Sequence, residues 1–155
     1  MTHSSLSSVK IELDKEDSQM GYLRILSHLT AMDKQFIPIL SDRVNLSEYS
    51  KKIHKYAIRI YARYDEYDIG HCYFYINESR CAYITSFGVI QENREAGIAT
   101  QIMEKVKQVC IRSKIKEIEL KVSTQNIPAV SFYRKQRFID TDIQPPWIIM
   151  KCILS

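Results

Sequence analysis

The feature that most constrains the fold is a helical stretch enclosed by two strand-like stretches within residues 81–122. Residues 81–90 are predicted to form a strand, and residues 116–122 alternate apolar and polar side chains, as strands do. Between them, apolar side chains recur at helical spacing, at Ile98, Ile102, Val106, Val109 and Cys110. Two strands joined through a helix run parallel, with a right-handed crossover. The segment therefore predicts a parallel strand pair covered by one helix.

The remaining strand-like segments predict antiparallel pairing. Residues 56–63, 70–76 and 81–90 follow one another with only short polar connections, as in a meander. A short strand is predicted at 9–13, and two closing strands at 138–143 and 147–154 are separated by two prolines. Strand 147–154 begins with the apolar run Trp-Ile-Ile-Met, which we expect at an edge that pairs in a homodimer.

Three further helices are predicted. Residues 16–30 carry an apolar stripe at Met20, Leu23, Leu26 and Leu29, with Ile25 beside it. Asn45 or Ser47 can cap a second helix that ends near Lys55, and Pro128 is placed to begin a third that ends near Gln136. The predicted class is α/β (mixed α+β), with a central, mostly antiparallel mixed sheet and helices on its faces.

Length and composition limit the class of protein. The chain has 155 residues, the size of one domain, so we expect a tail at 1–8 and a single domain at 9–155. No apolar run approaches the roughly 20 residues that span a bilayer, and no secretory signal pattern is present. The four cysteines and four histidines are scattered, which favours reduced thiols, a cytoplasmic location and no metal site.

The positive charge is concentrated in the last part of the chain. The net charge is +4, and residues 96–155 carry 10 basic and 5 acidic side chains. This excess indicates an anionic partner or, equally, a solvated lysine-rich helix face. Nucleic acid is a weaker reading, because the basic residues are not clustered among exposed aromatic side chains.

The junction between strand 81–90 and its helix has the character of an anion site. Gly97 and Ala99 let a ligand approach the backbone, the first helical turn offers unpaired N–H groups, and Thr100 adds a hydroxyl. The alternative is an ordinary turn glycine at a helix start. A second group, Asn126 and Tyr133, is seven residues apart and points the same way on a helix, although a helix cap and a core aromatic explain these two residues equally well.

Taken together, the order Arg94-x-x-Gly97-x-Ala99, helix, strand, Asn126-x-x-Ala129-x-x-Phe132-Tyr133 resembles the GNAT superfamily of acyl-CoA-dependent N-acetyltransferases. The resemblance covers about residues 56–143. It implies a V-shaped splay between the parallel strands, where acetyl-CoA lies as co-substrate and no metal is needed. It also implies direct attack by an amine acceptor, with the Phe87 N–H stabilising the oxyanion and Tyr133 as the general acid that protonates the CoA thiolate. The cofactor-binding residues it implies are Phe87, Gly88, Val89, Arg94, Glu95, Ala96, Gly97, Ile98, Ala99, Thr100, Asn126, Phe132 and Tyr133.

Several residues depart from the family pattern. Glu95 is an acid beside the expected phosphate site and repels phosphate unless it turns outward, and Ala96 stands where glycine or a basic residue is usual. Arg137 replaces a glycine at a helix end that often needs positive φ, at a cost of about 1 kcal/mol. A non-catalytic acyl-CoA-binding or protein-interaction module on the same fold is therefore the alternative function.

The general base and the acceptor are not identified by the sequence. The positions where relatives place a carboxylate hold Tyr83 and Lys121, neither of which is an obvious base at neutral pH. Glu119 acts through water or pairs with Lys121 on the sheet surface. The acids of segment 65–68 bind a cationic acceptor or a metal, or form a polar hairpin tip. His71 lines the acceptor pocket or lies on a surface strand face.

Overall fold

The computed structural model describes residues 8–94 and 96–154. A single seven-stranded sheet has the order β1-β2-β3-β4-β5-β7-β6. The strands are β1 Lys10–Asp14, β2 Ile58–Tyr64, β3 Tyr67–Ile76, β4 Cys81–Val89, β5 Glu117–Ser123, β6 Ile139–Gln144 and β7 Trp147–Ile153. All neighbours pair antiparallel except β4 and β5, which are parallel as predicted.

Four α-helices of the described chain cover the sheet: α1 Gln19–Met32, α2 Leu46–Tyr56, α3 Ile98–Arg112 and α4 Ile127–Lys135. Short 3-10 turns occupy Asp33–Gln35, Leu40–Asp42 and Gln91–Asn93. The Asn45 side chain accepts a hydrogen bond from the Glu48 N–H and caps α2, so the first of the two predicted cap residues is the correct one.

The two faces of the sheet carry different cores. The larger core includes the buried stripe of α3 and the inward residues Ile118, Leu120 and Val122 of β5. The smaller core contains two residues of α1, one of α2, and the side chains of Tyr61 and Tyr73. Helices therefore cover both faces, and the mixed α/β class is confirmed.

The parallel pair separates before its strands end. Pairing between β4 and β5 runs from Cys81↔Glu117 to Ile84↔Leu120 and no further within the register. The register with β3 shifts between Tyr73 and Phe74, so Thr85 is an extra, bulged residue of β4. A bulge bends and twists its strand, and beyond it β4 and β5 splay apart to form a cleft.

Helix α1 buries a different face from the predicted one. Met20 is 69% exposed and Leu23 is 45% exposed. The buried residues are Gly21, Ile25, His28, Leu29 and Met32. The prediction is right for Ile25 and Leu29 but wrong for Met20 and Leu23, because it counted only apolar side chains, whereas this helix also buries a glycine and a histidine. A Cβ on Gly21 would lie 2.1 Å from the Glu16 carbonyl oxygen, so the close approach requires glycine.

Two boundaries and the edge assignment also differ from expectation. Tyr56 ends α2 rather than beginning a strand. Strand β7 lies between β5 and β6, so its Trp-Ile-Ile-Met run is not an edge; the exposed β6 is the edge instead. Among the described residues, no helix is long and apolar enough to cross a membrane.

Candidate functional site

The cleft between the splayed ends of β4 and β5 encloses a cavity of about 100 Å³. It brings together Phe87, Asn126 and Tyr133, which the sequence predicted at one site. Thr85 and Ser86 line it from β4, Lys121 and Ser123 from β5. Phe87, Asn126 and Tyr133 of the predicted cofactor-binding residues therefore line this cavity, whereas the described residues of the Gly97 loop do not.

The backbone of β4 presents polar groups to this cleft. The Ile90 N–H donates to the Ile69 carbonyl oxygen of β3 (2.8 Å). Peptide groups alternate in direction along an antiparallel strand, so the Gly88 groups also point to β3. The N–H and C=O groups of Phe87 and Val89 point the other way, toward β5, where the ladder has ended. An extended ligand lying in the cleft meets these groups as a neighbouring strand would.

The loop from β4 to α3 follows the splayed end of β4. Gly97 has φ +79°, a left-handed conformation, and stands at the N-cap of α3. A Cβ built on Gly97 would meet nothing within 4 Å, so the backbone here faces open space. The N–H groups of Ile98, Ala99 and Thr100 precede the first intrahelical bond, which Gln101 donates to the Gly97 carbonyl. These amides and the helix dipole favour an anion.

The predicted loop residues contribute in different ways. The Ile98 side chain is buried in the larger core, so only its backbone faces the loop. Arg94 donates from Nε to the Val89 carbonyl oxygen (2.9 Å), which ties the loop to the end of β4. Ala96 is half-buried against the same core. The prediction for Glu95 lies outside the described residues.

Asn126 serves as the cap of α4. Its side-chain oxygen accepts from the Ala129 N–H (3.4 Å), so the capping explanation is correct. Its carboxamide also lines the cleft. The cap and the ligand contact are compatible, because an amide carries one acceptor oxygen and two donor hydrogens.

Tyr133 is buried, with 7% of its surface exposed. Its ring packs edge-on against Phe87 and Phe132, and tilted against Phe138. Burial raises the pKa of the Tyr133 phenol above its usual range, so the hydroxyl is protonated at neutral pH. A protonated phenol at the edge of the cleft is able to give a proton to a group bound there.

His71 is fully buried, so its surface-face interpretation is wrong. Its Nδ1 lies 2.9 Å from His28 Nε2, and its Nε2 lies 2.7 Å from Ser86 Oγ, which lines the cleft. Burial lowers the pKa of His28 to about 4 and lowers that of His71 well below 6.5. Both imidazoles are therefore neutral at pH 7.

The predicted pair of Glu119 and Lys121 does not form. Glu119 lies 3.7 Å from Lys151, and the Lys121 ammonium lies over the Trp147 ring, 4.6 Å from its centroid. Glu119 and Lys121 lie two residues apart on one face of β5, but register with β7 places Lys151 directly opposite Glu119. A cross-strand partner lies closer than a neighbour along one strand.

The acids of segment 65–68 divide between a turn and an ion-pair network. Asp65 and Glu66 form the β2–β3 turn. Asp68 belongs to β3 and binds Arg24, with an Nη2–Oδ1 distance of 2.7 Å. Arg24 also contacts Glu12 and Asp14, so these carboxylates are already paired. Among the described residues, no group of three or more His, Cys, Asp or Glu side chains is arranged to hold a metal ion.

The cysteines occupy core positions. All four are free and buried, and burial raises the pKa of the Cys110 thiol to about 12. A thiol of that kind is a poor nucleophile.

Sequence reasoning missed part of the cleft wall. Phe36 and Arg43, from the segment between α1 and α2, line the cleft, as does Trp147 from β7. They belong to no motif and are far apart along the chain. The only signal was that Trp147 is the single tryptophan, which does not place it beside β5.

Comparison with known proteins identifies chains of similar sequence and similar fold. The chain is 36% identical over 64 residues to the uncharacterized protein YxbD of Bacillus subtilis (strain 168), a match that spans 41% of this chain and 39% of that protein. An acetyltransferase structure from Streptococcus agalactiae superposes with a TM-score of 0.76 at 16% identity, covering 95% of this chain and 99% of the other.

A second solved structure contains a ligand. The PaiA N-acetyltransferase from Thermoplasma acidophilum, in complex with coenzyme A, has a TM-score of 0.70 at 18% identity, covering 93% of this chain and 99% of that one. At these identities the structural likeness establishes the fold. The sequence profile of the Acetyltransferase (GNAT) family matches residues 26–138, most of the chain. The chain therefore belongs to the GNAT acetyltransferase family.

Proposed function

We propose that this protein is an N-acetyltransferase that moves the acetyl group of acetyl-CoA to an amine acceptor. The observation that carries the proposal is the cleft itself. The backbone of Phe87 and Val89 faces the gap left by β5, and Gly97 and the first turn of α3 follow in the chain. Tyr133 lines the same gap.

Acetyl-CoA fits these features by its chemistry. The pantetheine arm carries amides and, lying in the cleft, pairs with the Phe87 and Val89 backbone as an added strand. The pyrophosphate occupies the amides of residues 96–100, where φ +79° at Gly97 leaves open space. The Asn126 carboxamide holds the pantetheine from α4, and Phe132 packs beside Tyr133.

The reaction is a direct attack. The amine nitrogen forms a bond to the thioester carbonyl carbon, and the Phe87 N–H stabilises the oxyanion that develops. Collapse of the tetrahedral intermediate breaks the carbon–sulfur bond, and the electron pair leaves with the sulfur. Tyr133 gives its proton to that thiolate. No acyl-enzyme forms, in keeping with the burial of the cysteines.

The nitrogen loses its proton to solvent. Among the described residues that line the cleft, none is an aspartate or a glutamate. The nearest imidazole, His71, reaches the cleft only through Ser86, and burial lowers its pKa. The acceptor therefore enters as the free amine, and below its pKa the rate rises with pH as the neutral fraction rises.

Acetyl-CoA turnover across a panel of amines tests the proposal. Release of the CoA thiol is followed with amino acids, amino sugars, polyamines and peptide N-termini, with and without protein. We expect thiol release that depends on the amine and yields the acetylated product. Binding of acetyl-CoA without transfer to any amine would instead support the alternative, a non-catalytic acyl-CoA-binding module.

A further inference from the structure

The wall of the cleft opposite Tyr133 is positively charged. Arg43 and Lys121 both line the cleft, and no described residue that lines it is an acid. Both side chains are exposed. Neither forms an ion pair with a carboxylate of the described chain, whereas Lys151 on β7 pairs with both Glu117 and Glu119.

Both cations lie against one aromatic ring. The Arg43 guanidinium carbon is 5.6 Å from the centroid of Trp147, and the Lys121 ammonium is 4.6 Å from it. The separation of the two charges is at most the sum of these distances. The π system attracts each cation but does not neutralise either. Two like charges held near one ring repel each other, and an anion bound beside them relieves that repulsion.

This wall is on the side from which an acceptor approaches. Leu120 and Val122 of β5 face the core beneath α3 and α4, so Lys121, between them, faces the opposite side of the sheet. Tyr133 comes from α4, on the core side. With the thioester between the strands, the sulfur lies toward Tyr133 and the attacking amine comes from the side of Arg43 and Lys121.

The nearby acids of β5 do not neutralise the positive charge of this wall. Glu119 is the acid nearest to Lys121 along β5, and it lies 3.7 Å from Lys151. Lys151 also pairs with Glu117 at 3.2 Å. These acids therefore already have a cationic partner, which leaves the charges of Arg43 and Lys121 in excess at the cleft.

From this geometry we infer that the acceptor is an amine that also carries an anionic group, a carboxylate or a phosphate, held by Arg43 and Lys121 beside Trp147. The inference rests on the proposed acetyl transfer. The acceptor amine is neutral when it attacks, so the anionic group supplies its electrostatic attraction to the site. Polyamines are excluded as preferred acceptors, because their remaining charges face two cations.

Matched pairs of amines test this inference. One pair is an α-amino acid and its amide, which differ in the carboxylate. The other is phosphoethanolamine and ethanolamine, which differ in the phosphate; spermidine represents polycations. For each pair the ratio of kcat/KM is measured in the parent and in Arg43→Gln, Lys121→Gln and the double variant. Comparing ratios between variants cancels the intrinsic reactivity of each amine.

We expect the anionic member of one pair to be favoured at least tenfold in the parent, and the pair that shows this identifies carboxylate or phosphate. The double variant should lose most of that preference. Lys116→Gln is the control, because Lys116 is an exposed lysine just before β5, at the end opposite the splay. It should leave the ratio unchanged.

Different outcomes would overturn the anionic acceptor and the proposed acetyl transfer. A ratio that is the same in the parent and the double variant, or a preference for spermidine, would overturn the anionic acceptor while leaving acetyl transfer intact. No turnover with any amine would overturn the proposed acetyl transfer and the anionic acceptor with it.

Discussion

The two walls of the cleft are built differently. The wall toward α3 and α4 consists of the β4 backbone, Asn126 and Tyr133, and the Gly97 loop follows the end of β4. The opposite wall takes Arg43 from a loop, Ser86 from β4, Lys121 from β5 and Trp147 from β7. The first wall is mostly backbone and closely spaced motif residues. The second is made of side chains that only the fold brings together.

In the proposed function the two walls have different tasks, because the first binds the cofactor and the second binds the acceptor. A cofactor shared by a family is met by backbone amides and a left-handed glycine, which constrain the local sequence strongly. An acceptor that differs between relatives is met by side chains, which vary without changing the fold. Substitutions and conditions that affect one wall more than the other test this comparison.

Tyr133→Phe separates chemistry from binding on the first wall. The ring and its contacts with Phe87 and Phe132 remain, so the fold and the affinity for acetyl-CoA should survive. Loss of a positioned general acid should lower kcat by roughly 10²–10⁴-fold, with little change in KM for acetyl-CoA. Tyr83→Phe is the matched control, since it removes a phenol from the other face of the sheet, and kcat should stay within a few-fold.

Steady-state kinetics with the best acceptor of the panel makes the measurement. A Tyr133→Phe enzyme as fast as the Tyr83→Phe control would show that Tyr133 only packs in the cleft.

The protein should become less stable as the pH is lowered, because buried histidines lie behind the second wall. In the folded state the pKa of His28 is lowered from 6.5 to about 4, mainly by burial, with Asp68 raising it and Arg24 lowering it. The unfolded chain therefore binds the proton more tightly. The contribution of His28 to the free energy of unfolding is therefore fully present above pH 6.5 and is lost as the pH falls through 4. Protonation of His28 alone should lower the free energy of unfolding by about 2 kcal/mol between pH 7 and pH 5.

Urea unfolding at pH 7 and pH 5 measures this loss, and His28→Gln isolates its source. Glutamine keeps a hydrogen-bonding side chain beside His71 but does not titrate, so the difference between the two pH values should shrink by about 2 kcal/mol. An equal loss in both proteins would assign the pH dependence to other groups.

The sequence predicted the first wall far better than the second, for physical reasons. The helix between two strands forces β4 and β5 to be parallel, and Gly97, Asn126 and Tyr133 belong to the motifs by which the sequence resembles the GNAT superfamily. Arg43 and Trp147 are separated by most of the chain, and their meeting depends on the strand order β5-β7-β6. Burial of His71 depends on α1 covering β3, which periodicity did not foresee because His28 is polar.

Arg137→Gly tests a local strain outside both walls. Arg137 has φ +72° after α4, as expected from the glycine it replaces in the family pattern. Glycine adopts this conformation without strain, although it loses more entropy on folding. We expect a net gain of about 0.5–1 kcal/mol, seen as a rise in Tm of a few degrees. Affinity for acetyl-CoA should not change, and a lower Tm would show that the arginine side chain stabilises the helix end.

Residue-resolved hydrogen exchange by NMR, with and without acetyl-CoA, tests directly whether the cofactor binds along β4. The cofactor should slow exchange of the Phe87 and Val89 amides at least tenfold, because these face the gap beside β5. The amides of Gly88 and Ser86, which point to β3, should change little. The amides of Ile98, Ala99 and Thr100 should also become protected by the pyrophosphate. Unchanged exchange at Phe87 and Val89 in a protein saturated with acetyl-CoA would show that the cofactor does not bind along β4.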